Sequence, residues 1–230
     1  MPFIQLNIIL KKYLTNLNKC TKWSVYKHMN YSKGTITKNR VLNSALKIIN
    51  TRGYHNTSIN DIIEATGVKK GNLYFHFQSK DDLITSIVAK AREEYFKYLA
   101  ENISGEKPSE RIVSILRAVF NYHKKTGFIG GCIFGNLSLE IADDNSNLST
   151  LLYDIFSEWI GFMARLLDDA KENGEIKPDI DTVATARQIV ACLEGGIMMS
   201  KLTKDERDLK ECIKSQLVLL GIKQREEHDF

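Results

Sequence analysis

Residues 57–80 read Thr-Ser-Ile-Asn-Asp-Ile-Ile-Glu-Ala-Thr-Gly-Val-Lys-Lys-Gly-Asn-Leu-Tyr-Phe-His-Phe-Gln-Ser-Lys, and this stretch decides the fold. Ser58 followed by Asp61 three residues later is a capping pair that opens a helix, and Ile59, Ile62 and Ile63 give that helix an inward face. Thr66-Gly67 supplies a turn. A short helix from Lys69 to about Phe75 follows and carries basic and polar aromatic residues. Ser79 with Asp82 repeats the capping pattern and launches a long helix with Leu83, Ile87, Ala91 and Tyr98 along one stripe. Two short helices joined by a Gly-containing turn, the second basic, form the pattern of a helix-turn-helix that enters a DNA major groove.

Outward from that stretch the patterning stays helical. Upstream, Val41, Leu42, Ala45, Ile48 and Ile49 recur at helical spacing from Thr37 onward, and Gly53 closes the element. Downstream, Gly105 to Pro108 marks a boundary. Ile112, Ile115, Leu116, Val119 and Phe120 form the next apolar face, ended by Gly127. A short element at Cys132–Ile141 precedes the polar loop Asp143-Asp144-Asn145-Ser146-Asn147. Two apolar helices, about Leu148–Glu172 and Asp181–Leu202, and a last one, about Glu206–Leu220, complete the pattern. No stretch alternates with period two, so strands are not needed. The expected fold is all-α with about nine helices. Residues 36–82 form a three-helix helix-turn-helix domain, and residues 83–222 a helical ligand-binding and dimerisation domain. Residues 1–35, with six lysines and no acidic residue, read as a basic disordered extension, and residues 223–230 as a tail.

Within the helix-turn-helix, residue types separate by job. Val68, Leu73 and Phe77 suit buried anchors, and Phe75 is grouped with them as scaffold. Lys69, Lys70, Gly71 and Asn72 sit where base edges or phosphates are met. Lysine donates to guanine acceptors, Asn pairs with adenine, and glycine permits close backbone approach. Tyr74 and His76 offer ring donors to phosphate oxygens, and Lys80 a point charge. Thr57 and Ser58 can present hydroxyl and backbone N–H groups to phosphate. A Lys-Lys pair is commonly a solvated face and an aromatic cluster commonly core, so the order of the whole set carries the reading.

The run Leu73-Tyr74-Phe75-His76-Phe77 followed by Ser79-Lys80-Asp81-Asp82-Leu83 closely resembles the DNA-binding domain of the TetR family of transcriptional repressors. The resemblance is specific over about Thr37 to Leu83 and extends to the rest in helix number and length. It implies phosphate contact by Thr57 or Ser58, Tyr74, His76 and Lys80, and base reading by Lys69, Lys70 and Asn72. It also implies a dimer built from the last two long helices, which a palindromic operator requires.

Charge agrees with this division. Residues 1–81 hold 13 Lys/Arg against 3 Asp/Glu, and residues 82–230 hold 19 against 25, so a basic front precedes an acidic remainder. Apolar runs are too short to cross a bilayer and residues 3–10 lack signal-peptide features, so no membrane partner is expected. Cys20, Cys132, Cys192 and Cys212 are scattered, which argues against zinc or a disulfide framework and fits a reducing cytoplasm. No paired carboxylates, nucleophile-base set or phosphate loop points to an enzyme, and no cofactor or metal is expected.

For dimerisation, Ala184, Ala191, Gly195 and Gly196 allow close approach, and Ile213, Leu217 and Leu220 form an apolar stripe; monomer core is the other reading of both. A small-molecule effector would find bulky side chains at Phe120, Tyr122, Phe128, Phe134, Trp159, Phe162, Met163 and Met198, residues equally suited to ordinary core. The segment Gly130-Gly131-Cys132-Ile133-Phe134-Gly135-Asn136-Leu137-Ser138-Leu139-Glu140 resembles one in a TetR subgroup that includes electrophile-sensing repressors, which makes Cys132 a candidate sensor thiol. The sequence therefore points to a homodimeric DNA-binding repressor released by a small molecule. The alternatives are electrophile or redox sensing through Cys132, or a helical protein-interaction module without DNA function.

Overall fold

The computed structural model describes residues 33–222, and the expected basic extension and short tail fall almost wholly outside that range. The described residues form nine α-helices and no strand. In chain order they are α1 Lys33–Arg52, α2 Ile59–Thr66, α3 Lys70–His76, α4 Lys80–Asn102, α5 Pro108–Lys124, α6 Ile133–Ile141, α7 Ser146–Glu172, α8 Thr182–Thr203 and α9 Arg207–Leu220. Helix α1 begins four residues before the apolar pattern starts at Thr37.

Local chemistry explains the boundaries. Ser58 caps α2 by accepting from Asp61 N at 3.1 Å, while the Asp61 carboxylate accepts from Ser58 N at 2.7 Å. The Ser58 hydroxyl and backbone N–H hold the Asp61 carboxyl below the usual range. Gly67 ends α2 at φ +63°, a left-handed conformation that favours glycine, and its N–H donates to Ile63 O at 2.9 Å. Ser79 caps α4 through Asp82 N at 3.0 Å.

Two apolar cores share α4. One gathers Val41, Ala45 and Ile49 of α1, Ile62 of α2, Leu73 of α3 and Leu83 to Ala91 of α4, and continues into Phe134, Leu137 and Ile141 of α6 and the start of α7. The other is built from α5, α7, α8 and α9 around Leu116, Met163, Leu167, Ile189 and Leu217. Helices α1–α3, the head of the molecule, therefore pack against α6 and α7 of the remaining body.

The candidate dimer residues divide between inside and outside. Ile213, Leu217 and Leu220 of α9 are buried in the monomer core, so this stripe is not available to a partner. Gly196 is likewise internal: a methyl there would sit 3.1 Å from Cys212 Sγ and Leu209 Cα, so the residue lets α8 and α9 approach within one chain. Ala184 and Ala191 are exposed, and Gly195 faces open space. The periodicity of α9 signalled an apolar face but not which neighbour covers it.

Candidate nucleic-acid interface

Helix α3 spans seven residues and is held by its inward face alone. Val68, Leu73 and Phe77 are buried, as expected of anchors. Lys69, Lys70, Gly71 and Asn72 are all exposed, and Tyr74 is 43% exposed. Phe75, expected inside, is 85% exposed instead. The geometry is simple: at about 100° per residue, a side chain two positions from both Leu73 and Phe77 points away from the face those two share. Phe75 therefore joins the outward surface beside Tyr74, while His76 is half-buried against Phe75 and Phe77.

Gly71 is informative because nothing in the chain requires it. Its φ is not left-handed, and a methyl group there meets no atom within 4 Å. Glycine inside a helix costs about 1 kcal/mol relative to alanine, and here no packing offsets that. Open space above the backbone is what a close-approaching groove needs. Gly71→Ala is expected to raise unfolding stability by up to about 1 kcal/mol in urea titrations while weakening DNA binding; a gain in both would contradict this role.

Two residues placed at phosphate positions serve the fold first. Thr57 is fully buried; its hydroxyl donates to Gly53 O at 2.7 Å and its N–H reaches Tyr54 O at 3.3 Å, so it cannot offer either group to a phosphate. Lys80 donates through Nζ to Tyr54 O at 2.6 Å, and its ammonium lies 3.9 Å from the Tyr54 ring centroid. Burial lowers the Lys80 pKa. The Tyr54 hydroxyl donates to Asp81 at 2.6 Å, and burial, then Asp81, pushes its pKa up to about 12. Lys80 thus pins the loop between α1 and α2. Ser58 remains exposed, its hydroxyl engaged as the α2 cap.

The head is tied to the body by contacts that the sequence did not signal. Asn136 of α6 donates through Nδ2 to Asn50 Oδ1 at 2.8 Å and Gly130 O at 2.7 Å, and its Oδ1 accepts from Lys201 Nζ of α8 at 3.0 Å. The Glu140 carboxylate accepts from His55 N at 3.2 Å, and the His55 ring donates to Glu140 O at 3.0 Å. Asn145 donates to Asp81 at 3.0 Å. Farther along, Arg92 of α4 makes a two-point pair with Glu158 of α7 at 2.7 and 2.6 Å. Asn136 and Glu140 thus join α6 to the C-terminal end of α1 and to the loop that follows it.

In the body, Phe120, Phe128, Trp159, Phe162 and Met163 share one core, whereas Phe134 belongs to the core under the head. Met198 is 56% exposed on α8 and lies outside both, because its position falls on the face opposite Leu193 and Ile197. Trp159 and Phe162 line a small apolar recess with Phe96, Leu99, Ala100, Ile103 and Ile115.

Cys132 does precede α6, but its surroundings oppose a reactive thiolate. Burial pushes its thiol pKa well up, and Glu194 adds to this, against weaker stabilisation from the Gly135 and Phe134 N–H groups. A sensor thiol needs the opposite shift. No group of His, Cys, Asp and Glu that could hold a metal occurs among the described residues.

A basic recognition helix, displayed by a capped helix-turn-helix on an all-helical body, defines a DNA-binding transcriptional regulator. Residues 41–87 match the family model described as bacterial regulatory proteins of the tetR family, and residues 108–215 match the tetracyclin repressor-like C-terminal domain. The chain belongs to the TetR family. It is 26% identical over 179 residues to the transcriptional repressor DhaR of Mycobacterium sp. strain GP1, covering 77% of this chain and 88% of that one. It is 29% identical over 161 residues to the regulator UidR of Escherichia coli K12, covering 67% and 76%. Among solved structures, a TetR transcriptional regulator from Chloroflexus aurantiacus superposes with a TM-score of 0.76 at 28% identity, over 82% of this chain and 96% of that one. No helix among the described residues is long and apolar enough to cross a membrane.

Proposed function

We propose that the protein is a homodimeric repressor that occupies a pseudo-palindromic operator and leaves it when a small molecule binds the body. The observation that carries this reading is the outward face of α3, where Lys69, Lys70, Gly71, Asn72 and Tyr74 all stand clear of the fold. Residues 36–82 would read DNA, and residues 83–222 would pair and sense. The half-buried His76 and the exposed Ser58 would hold phosphate at the margins. The Mycobacterium relative is named a repressor, which favours repression over activation.

Pairing is supported by apolar side chains left uncovered on the last two helices: Met199 and Leu202 of α8, and Val218 and Leu219 of α9, with Leu202 77% exposed. Covering such a face removes apolar area from water, and two heads then meet two half-sites. An effector needs only to prefer a body conformation in which the heads are wrongly spaced; about 1.4 kcal/mol of that preference is a tenfold loss of affinity. Asn136 and Glu140 supply the mechanical link. The surroundings of Cys132 favour reversible ligand binding over thiol chemistry.

The test is hydrodynamic. Native protein is expected to sediment as a dimer, and a Leu202→Glu, Leu219→Glu variant as a monomer with weakened operator binding. A native monomer at micromolar concentration would contradict the reading.

A further inference from the structure

Phe75 is the most exposed large apolar side chain among the described residues, at 85%. Neither apolar core includes it, and its ring meets that of half-buried His76 edge-on, with centroids 5.2 Å apart. At about 100° per residue, Phe75 lies about 40° from Gly71 and about 60° from Asn72, and about 160° from the anchor Leu73. Gly71, Asn72 and Phe75 are all exposed and form the crest of α3. Lys70 and Tyr74 occupy one flank together, the Lys70 ammonium 6.0 Å from the Tyr74 ring centroid. The crest of a basic helix thus carries one amide, one bare stretch of backbone and one phenyl ring.

We propose that Phe75 is a specificity-determining residue whose ring packs on the 5-methyl group of a thymine in the major groove, beside the base that Asn72 reads. This rests on the operator-binding reading above and names part of what that face recognises. A phenyl ring has no hydroxyl, so it cannot hold a phosphate oxygen as Tyr74 can, and it cannot read a pattern of donors and acceptors. The apolar group that the major groove presents is the thymine methyl, and covering it with the ring removes apolar surface from water on both sides.

A lone exposed phenylalanine is common on protein surfaces. This one is set apart by its neighbour one turn earlier. Gly71 has open space where a methyl group would stand, so the crest can come close to base edges instead of stopping at the phosphates. The edge-on contact with His76 restrains the ring before DNA arrives, which lowers the ordering cost of docking. Asn pairs with adenine through N6 and N7. An amide and a ring side by side on one crest therefore suit an adenine and a thymine in neighbouring base pairs.

The probe is a duplex enriched from a random library by the native protein, then remade with deoxyuridine in place of each thymine in turn. That change removes one 5-methyl group and keeps every hydrogen-bonding atom. By fluorescence anisotropy, native protein is expected to lose affinity about fourfold at one thymine of a half-site, and more than about tenfold when both half-sites carry the change. Phe75→Ala, at a position that supports neither core, is expected to fold as native and to bind the thymine and uracil duplexes equally. Native affinity indifferent to uracil at every thymine, or a thymine preference that survives Phe75→Ala, would overturn the proposal. Weaker binding by Phe75→Ala without any uracil effect in the native protein also overturns it, and assigns the ring to the sugar-phosphate backbone. The two readings fail separately. Failure to enrich any duplex refutes the repressor reading and this contact with it, whereas an enriched duplex indifferent to uracil refutes the thymine contact alone.

Discussion

A Lys70→Ala, Asn72→Ala double variant is expected to fold normally and to lose operator affinity by two orders of magnitude or more. Both side chains are exposed and neither supports the core, so the unfolding transition should stay within about 0.5 kcal/mol of native. A base-edge contact contributes about 1–3 kcal/mol, and a dimer presents each position twice. Two positions lost in both half-sites therefore exceed the roughly 2.7 kcal/mol that a hundredfold change requires. Lysine lost near phosphates should also flatten the salt dependence. Fluorescence anisotropy across a salt series reads both quantities. By contrast, Lys80→Ala is expected to weaken binding by loosening the Tyr54 loop, and so to lower stability at the same time.

The second large effect is on stability against pH, and it comes from two buried groups with opposite signs. Burial lowers the His123 pKa from 6.5 to about 4. Between those values the unfolded chain binds a proton that the folded chain refuses. Stability is therefore complete above pH 6.5 and lost as pH falls toward 4, by about 3 kcal/mol. Glu194, raised from 4.5 to about 7, behaves in reverse. Its neutral carboxyl favours the fold below pH 4.5, and that contribution is lost as pH rises through 7, again by about 3 kcal/mol. Between pH 4.5 and 6.5 the two slopes oppose each other in the native protein. Single variants should separate them. Glu194→Gln is expected to gain stability relative to native as pH rises from 4.5 to 8, and His123→Gln as pH falls from 6.5 to 4. Urea unfolding at a series of pH values checks this; profiles parallel to native in both variants would contradict it.

The helices and caps were legible because their causes are local. Ser58 and Asp61, Gly67, and Ser79 and Asp82 act within a few residues of themselves, and the structure uses them as the sequence suggested. The outward Lys69 to Asn72 run was legible for the same reason. What was not legible depends on distance or on the choice between two faces. Thr57 and Lys80 look free in sequence, but they are drawn inward by carbonyls of the loop after α1. Phe75 resembles Phe77 in type and differs only in helical phase. The link of Asn50, Asn136 and Lys201 joins side chains 86 and 65 residues apart, and no short-range pattern announces it. Glu194 was missed because one acid in an apolar helix reads as a surface residue until α4 and α6 close around it.

The most direct measurement is selection of duplexes from a random DNA library by the native protein, with binding of the enriched sequence measured across a salt series. The expected product is an inverted repeat with half-sites about one helical turn apart, bound by a dimer with affinity that falls steeply as salt rises. Failure to enrich any sequence, or enrichment of a site whose affinity the Lys70→Ala, Asn72→Ala variant retains, would contradict it.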